Sequence, residues 1–193
     1  MVTATPAQLL DETVPSEDTD IVAAAMARGE YRDAIARCAR EHSVALTRFC
    51  FALLASRGEA DEAVQETLLA AFDGAASFRN DAPVRGWLFG IARRVCARRL
   101  EIRTRQARRR PLLVNSDTAT RPDDAFETAE RGQRVRSAVD ELRPTEREAL
   151  LLRYDAELSY REVAEATGVD EAAVRQRVSR ALARVRARLS EGS

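Results

Sequence analysis

Arginines stand at positions 175, 177, 180, 184, 186 and 188 of a single predicted helix, and no acidic residue interrupts the run from Ala172 to Leu189. A guanidinium is a planar, permanently charged set of donors that pairs bidentately with phosphate oxygens or with the edge of guanine, so the chemistry open to this run is recognition of nucleic acid. A merely soluble helix face mixes signs, because opposite charges three or four residues apart gain from pairing. Counting ~100° per residue places Val174, Val178, Leu182, Val185 and Leu189 on one stripe, with Gln176, Ser179, Arg180 and Ala183 opposite. Arg175 and Arg186 flank one side of that polar face, and Arg177, Arg184 and Arg188 the other.

Such a helix needs a second one to hold it. Ser159-Tyr160-Arg161-Glu162-Val163-Ala164 leads through Thr167-Gly168-Val169 into the arginine helix. Ser159 and Glu162 have capping-box spacing, Ala164 is small where two helices would cross, and Gly168 can take the positive φ that turns the chain. Asp170 is then placed to cap the second helix. The pattern predicts a helix-turn-helix whose second helix enters DNA.

The overall composition hides this polarity. The 193 residues hold 31 basic and 31 acidic side chains and a formal net charge of zero. Charge is nevertheless segregated: net −7 over residues 1–82, +9 over 83–111, −7 over 112–171 and +5 over 172–193. Alternating blocks of this size point to separate surfaces for separate partners, the basic ones attracted to phosphate. Every basic residue is Arg and none is Lys.

Other chemistry finds less support. Cys38 and His42 are four residues apart on a predicted helix, and Cys50 and Cys96 could complete a set of four ligands. Cysteines this sparse, with no Cys-x-x-Cys pair, are ordinarily buried small residues, and an odd count argues against a disulfide framework. No nucleophile, base and orienting group assemble around His42, so neither catalysis nor a cofactor or metal is expected. No apolar run approaches the ~20 residues of a membrane span and no signal-peptide pattern opens the chain, so a cytoplasmic protein is expected.

The element pattern is all-α. Residues 1–19 read as an acidic, mobile tail. Helices are predicted over 20–28, 31–56, 60–74 and 84–108, with breaks at Arg28-Gly29-Glu30, Arg57-Gly58-Glu59 and Asp73-Gly74. Pro111 ends the fourth, and 111–125 read as a flexible linker. Helices over 126–142, 145–154, 160–166 and 171–189 follow, with Thr145 to Glu148 at capping-box spacing beside Pro144. The expected architecture is two small helical domains, 20–110 and 126–190, on a tether.

Four motifs then occur in order: Asp61-Glu62-Ala63-Val64-Gln65-Glu66, Ser77-Phe78-Arg79-Asn80-Asp81, Trp87-Leu88-Phe89-Gly90-Ile91-Ala92-Arg93-Arg94, and the helix-turn-helix from Leu158 to Ala181. Together they resemble the extracytoplasmic-function sigma factors of bacterial RNA polymerase, within the sigma-70 family. The resemblance covers roughly residues 20–190 and implies a region 2-like bundle and a region 4-like helix-turn-helix. It also implies binding to core polymerase through Asp61, Glu62, Gln65 and Glu66, which would dock on the β′ clamp helices, with further contact to the β subunit. An acidic helix suits that role independently, since it would repel phosphate.

For the −10 element the resemblance implicates the loop residues Phe78, Arg79, Asn80, Asp81 and Ala82, which would capture an unstacked base. Arg93, Arg94 and Arg98 lie on the polar arc of the next helix, where they can approach phosphate, whereas Trp87, Ile91 and Val95 recur on its core side. Many family members carry Asn where Arg94 stands, a departure that bears on −10 preference. For the −35 element the candidates are Arg175, Gln176, Ser179 and Arg180, with Arg177 and Arg184 as phosphate clamps. The implied partners are core polymerase, promoter DNA and an anti-sigma protein, without membrane insertion, and the active protein would be nucleoid-associated. A free-standing helix-turn-helix regulator is the rival reading; it leaves the Val64-Gln65-Glu66 helix unexplained and needs a symmetric dimer interface that the sequence does not suggest.

Overall fold

The computed structural model describes residues 17–78, 83–109 and 126–191. Among them are eight α-helices and no strand. The first unit comprises α1 (Glu17–Ala27), α2 (Tyr31–Leu54), α3 (Arg57–Gly74) and α4 (Val84–Arg109), with a 3₁₀ turn at Ala75–Ser77. The second comprises α5 (Phe126–Asp140), α6 (Pro144–Tyr154), α7 (Tyr160–Thr167) and α8 (Glu171–Glu191). The residues read from sequence as the linker, 111–125, lie outside the described residues, as do 1–16 of the acidic tail. Helix α1 starts at Glu17, three residues before the predicted start.

Two predicted boundaries move for identifiable reasons. The break before α3 is not at Gly58, which lies inside the helix, but at Ala55 and Ser56. Ala55 takes a left-handed φ of 57° and returns its N–H to the Phe51 carbonyl, and Ser56 accepts from the Glu59 N–H at 3.4 Å. A serine cap therefore fixes a start that composition alone assigned to glycine. The Thr145–Glu148 capping box does not form either. Arg143 is the cap position without a side-chain bond, and Pro144 opens α6 at its first position, where the missing N–H costs nothing.

In the first unit α2 packs on α3 and α4, burying Leu46, Phe49, Leu54, Leu88 and Phe89 completely. Phe49 meets Phe89 edge-on at 5.7 Å. Full burial of each such side chain contributes about 1.5–3 kcal/mol before chain entropy is subtracted. In the second unit α8 lays Val174, Val178, Ala181 and Val185 against α5, α6 and α7; of the predicted stripe the three valines are buried and Leu182 and Leu189 are half-buried, while Ala181 joins the buried face. The two units do not stand apart. Helix α4 packs along α7 and α2 touches α6, so one apolar cluster runs through both.

Cys38, Cys50 and Cys96 are free and fully buried in the first unit. Burial, with the Glu41 carboxylate nearby, pushes the Cys38 thiol up to about 11. The Cys50 thiol is also raised, because it hydrogen-bonds to Cys96 and is desolvated. A thiol held neutral in the fold and free to ionise when unfolded stabilises the fold below its ordinary pKa near 9, and that contribution is lost as pH rises toward about 11. Cys38 of the native chain should therefore resist thiol reagents at pH 8 and show no thiolate absorbance at pH 9, with all three thiols reacting in denaturant. Rapid native alkylation of Cys38 would contradict this packing.

Candidate nucleic-acid and partner interfaces

The helix-turn-helix is built as its sequence predicts. The Ser159 hydroxyl accepts the Glu162 N–H at 3.2 Å, and the Glu162 carboxylate accepts the Ser159 N–H at 2.7 Å, closing the capping box. Gly168 turns the chain at φ 69°, with its N–H on the Ala164 carbonyl. Asp170 accepts the Ala173 N–H at 2.7 Å to start α8. Each cap is worth about 1 kcal/mol, and together they fix the angle at which α8 leaves α7.

On the outer face of α8, Arg175, Gln176, Ser179 and Arg180 are exposed together, whereas Arg177 is half-buried. Arg180 donates to the Gln176 side chain at 2.5 Å, so these two form one polar unit. Arg175 is held on two sides: its guanidinium lies 4.2 Å from the centre of the Tyr160 ring and pairs with Glu171 at 2.6 Å. The same ring carries the Arg153 guanidinium at 5.0 Å, and Arg153, almost fully buried, donates to the Leu158 carbonyl at 3.0 Å. Arg184 leans on the buried Glu146 at 3.4 Å. The roles of Tyr160 and Glu146 arise from tertiary contacts, which leave no local signal in the sequence.

Helix α4 carries the other basic face. Arg94 is exposed, but Arg93 pairs with Glu148 of α6 at 2.6 Å. Arg98 pairs with Glu66, and Arg99 bridges Glu62 at 2.9 Å and Glu66 at 3.2 Å. Two of the four acidic-helix candidates thus anchor α3 to α4. Trp87 is half-buried and packs at 5.2 Å on Phe78, which itself lies against the core; Ile91 and Val95 are buried as predicted. Residues 79–82, the remainder of the candidate base-capturing loop, lie outside the described residues.

The outer face of α3 also holds what charge patterning missed. Asp61, Glu62 and Gln65 are exposed and Glu66 half-buried, but so are Leu69, 67% exposed, and Phe72, 48% exposed. Gln65, Leu69 and Phe72 fall one helical turn apart on one side, opposite the buried Ala60, Ala63, Val64, Thr67 and Ala71. The signal was present: the buried face uses the small residues, and the largest apolar ones fall outside it. Among the described residues, no three His, Cys, Asp or Glu side chains are grouped to hold a metal ion, and no helix is long and apolar enough to cross a membrane.

A basic helix-turn-helix docked on a helical unit with a separate acidic and apolar outer face defines a DNA-binding transcription factor with a second, protein-facing surface. Residues 38–108 match the sigma-70 region 2 family, and residues 132–185 match sigma-70, region 4. The chain is 33% identical over 175 residues to the ECF RNA polymerase sigma factor SigM of Mycobacterium tuberculosis, covering 87% of this chain and 82% of that one. It is 27% identical to the RNA polymerase sigma factor CnrH of Cupriavidus metallidurans, covering 92% and 97% respectively. Its fold is similar to that of CnrH solved in complex with the cytosolic domain of CnrY, with a TM-score of 0.66, 26% identity and coverage of 92% of this chain and all of that one. It is also similar to the sigma factor RpoE in complex with the anti-sigma factor NepR from Bartonella quintana, with a TM-score of 0.63, 26% identity and coverage of 76% and 90%. The chain belongs to the extracytoplasmic-function sigma factors: it directs RNA polymerase to promoters and is not a free-standing regulator.

If the Tyr160 ring holds Arg175 in place for base contact, Tyr160→Leu should lower promoter-specific affinity about two- to fivefold, the worth of an exposed cation–π contact, and leave non-specific binding unchanged. Tyr160→Phe should retain wild-type specificity. Fluorescence anisotropy on matched and scrambled −35 duplexes reads both; an equal loss for Phe and Leu would assign the effect to the hydroxyl instead.

Proposed function

We propose that this chain works as a non-catalytic initiation subunit with three separate contact surfaces. The observation that carries this reading is the outer face of α3, where the apolar Leu69 and Phe72 stand exposed in line with Gln65, beside Asp61 and Glu62. That surface has no use in a DNA-only regulator and suits a protein helix, with core polymerase docking on it through the β′ clamp helices. Leu69 and Phe72 supply area, and the acids discourage phosphate and set orientation. Glu62 and Glu66 act partly from within, fixing α3 to α4.

The domain spanning 20–110 would read the −10 element. Arg93, Arg94 and Arg98 approach the backbone, and residues 78–82 receive an unstacked base as the duplex opens. The domain spanning 126–190 would read −35 through Arg175, Gln176, Ser179 and Arg180, with Arg177 and Arg184 on phosphate. Joining two modest sites through 111–125 raises the effective concentration of each and makes promoter spacing part of specificity. Bond making stays in the polymerase, and this chain contributes no enzyme activity. It acts in the cytoplasm, at the nucleoid when engaged. Two relatives are known in complexes with CnrY and the anti-sigma factor NepR, and an anti-sigma protein is the corresponding partner proposed here.

Leu69→Glu, with Phe72→Ala as its milder counterpart, should weaken binding to core polymerase by about thirtyfold, the effect of losing a hot-spot contact of ~2 kcal/mol, with −35 duplex affinity unchanged. Sedimentation with purified core polymerase and duplex anisotropy measure the two arms. Full polymerase binding by Leu69→Glu would remove the α3 outer face from the interface.

A further inference from the structure

Glu146 carries a carboxylate into the packing between α6 and α8, where water does not reach it. It stands third in α6, after Pro144 and Thr145, and is only 3% exposed. Its N–H donates to the Arg143 carbonyl at 2.9 Å, which ties its backbone into the start of the helix. The N-terminus of α6 offers partial positive charge to an acid in its first turn. A carboxylate cut off from water needs more than that, a counter-ion above all. Arg184 of α8 supplies it: Nε lies 3.4 Å from Oε2, an oxygen that accepts no hydrogen bond among the described residues.

This pairing occupies one edge of Arg184 and leaves the other. Glu146 faces Nε, and among the described residues nothing accepts from the two terminal nitrogens of a side chain that is 46% exposed. The neighbouring arginines of α8 are committed differently. Arg180 gives Nε to the Gln176 carbonyl and a terminal nitrogen to the Gln176 side chain. Arg188 gives Nε to Glu141 at 2.9 Å and divides its terminal nitrogens between Glu141 and Glu191. Glu141 and Glu191 are exposed, so they can return to water at little cost. Glu146 cannot: its charge is balanced by Arg184 or left unbalanced.

We infer that Glu146 is a positioning residue for DNA contact, which holds the Nε edge of Arg184 from within the second unit and so presets its terminal nitrogens as a fork for one backbone phosphate of the −35 duplex. The inference deepens the reading of Arg184 as a phosphate clamp and rests on it. A planar guanidinium can give one edge to a carboxylate and the other nitrogens to phosphate at the same time. Aimed in advance, it loses less freedom on binding than a side chain that sweeps through solvent. The carboxylate also repels phosphate, but across the whole width of the guanidinium, where water around the exposed Arg184 screens the repulsion.

The test is a double-mutant cycle in the full chain: Glu146→Gln, Arg184→Ala and the two combined. Arg184→Ala strands a buried carboxylate and should lower the thermal midpoint, and adding Glu146→Gln should raise it again. Fluorescence anisotropy on matched and scrambled −35 duplexes, over a range of salt, forms the second arm. Arg184→Ala should weaken both duplexes by a similar factor and reduce the salt slope by about one, as one lost phosphate contact does. Glu146→Gln keeps the shape and leaves Arg184 charged. It should weaken binding about two- to tenfold, the cost of ordering one long side chain, with the salt slope unchanged. In the Arg184→Ala background the same substitution should leave binding as it is. Should Arg184→Ala alone be too unstable to assay, Glu146→Gln against wild type still measures the positioning, and the combined variant against Glu146→Gln the clamp. Tighter binding by Glu146→Gln overturns the positioning role, as does an equal loss with and without Arg184. Unchanged affinity and salt slope on removing Arg184 refute the clamp reading itself, and the positioning role with it.

Discussion

Helix α4 is enclosed on most of its circumference over its first half. Val84, Gly86, Leu88, Phe89, Gly90, Ile91, Ala92, Val95 and Cys96 are all buried, because α2 and α3 cover one side and α7 another. A helix so surrounded cannot carry large side chains in every direction. The space is divided: Leu88, Phe89 and Ile91 are buried in the shared core, and Gly86 and Gly90 leave room for a neighbouring backbone. The angle of the helix-turn-helix relative to the first unit, the burial of Val163 and Ala166 and the reach of Arg85 all follow from that division. A methyl group on Gly86 disturbs this arrangement more than a large change on the exposed arc of α4 would.

Electrostatics forms a second layer on this frame. The positively charged segments are not loose clouds of charge, because many of the arginines are positioned by acids or carbonyls from neighbouring elements. Glu62 and Glu66 hold Arg98 and Arg99, Glu171 and the Tyr160 ring hold Arg175, and Glu146 supports Arg184. These mostly exposed pairs add little to stability. What they supply is orientation: an arginine already aimed loses less freedom when it meets phosphate or a base. The alternation of −7, +9, −7 and +5 along the chain is the one-dimensional trace of this arrangement.

The local architecture was largely readable because it is encoded by near neighbours. The Ser159–Glu162 box, the Gly168 turn, the Asp170 cap and the Val174, Val178, Val185 stripe each depend on residues within a turn or two of one another. Where a closer competitor exists, the boundary moves: Ser56 displaces Gly58 at the start of α3, and Pro144 displaces the Thr145 box, leaving Glu148 to pair with Arg93. Contacts between distant segments left no periodic signal, so the α4–α7 seam and the Arg153–Tyr160–Arg175 group emerged only in three dimensions. The exposed Leu69 and Phe72 fall between these cases. Their stripe is periodic, but it lies among the charges of Glu62 and Glu66, which serve largely to hold α3 on α4.

In the proposed function a single chain places polymerase by reading two separated DNA elements. Transcription by purified bacterial core polymerase on a pooled random-promoter library, with and without this protein and with every transcript start sequenced, tests it most directly. Protein-dependent starts are expected at discrete positions, each preceded by two motifs at a fixed spacing. Starts that do not depend on the protein, or that share only one motif, would contradict it.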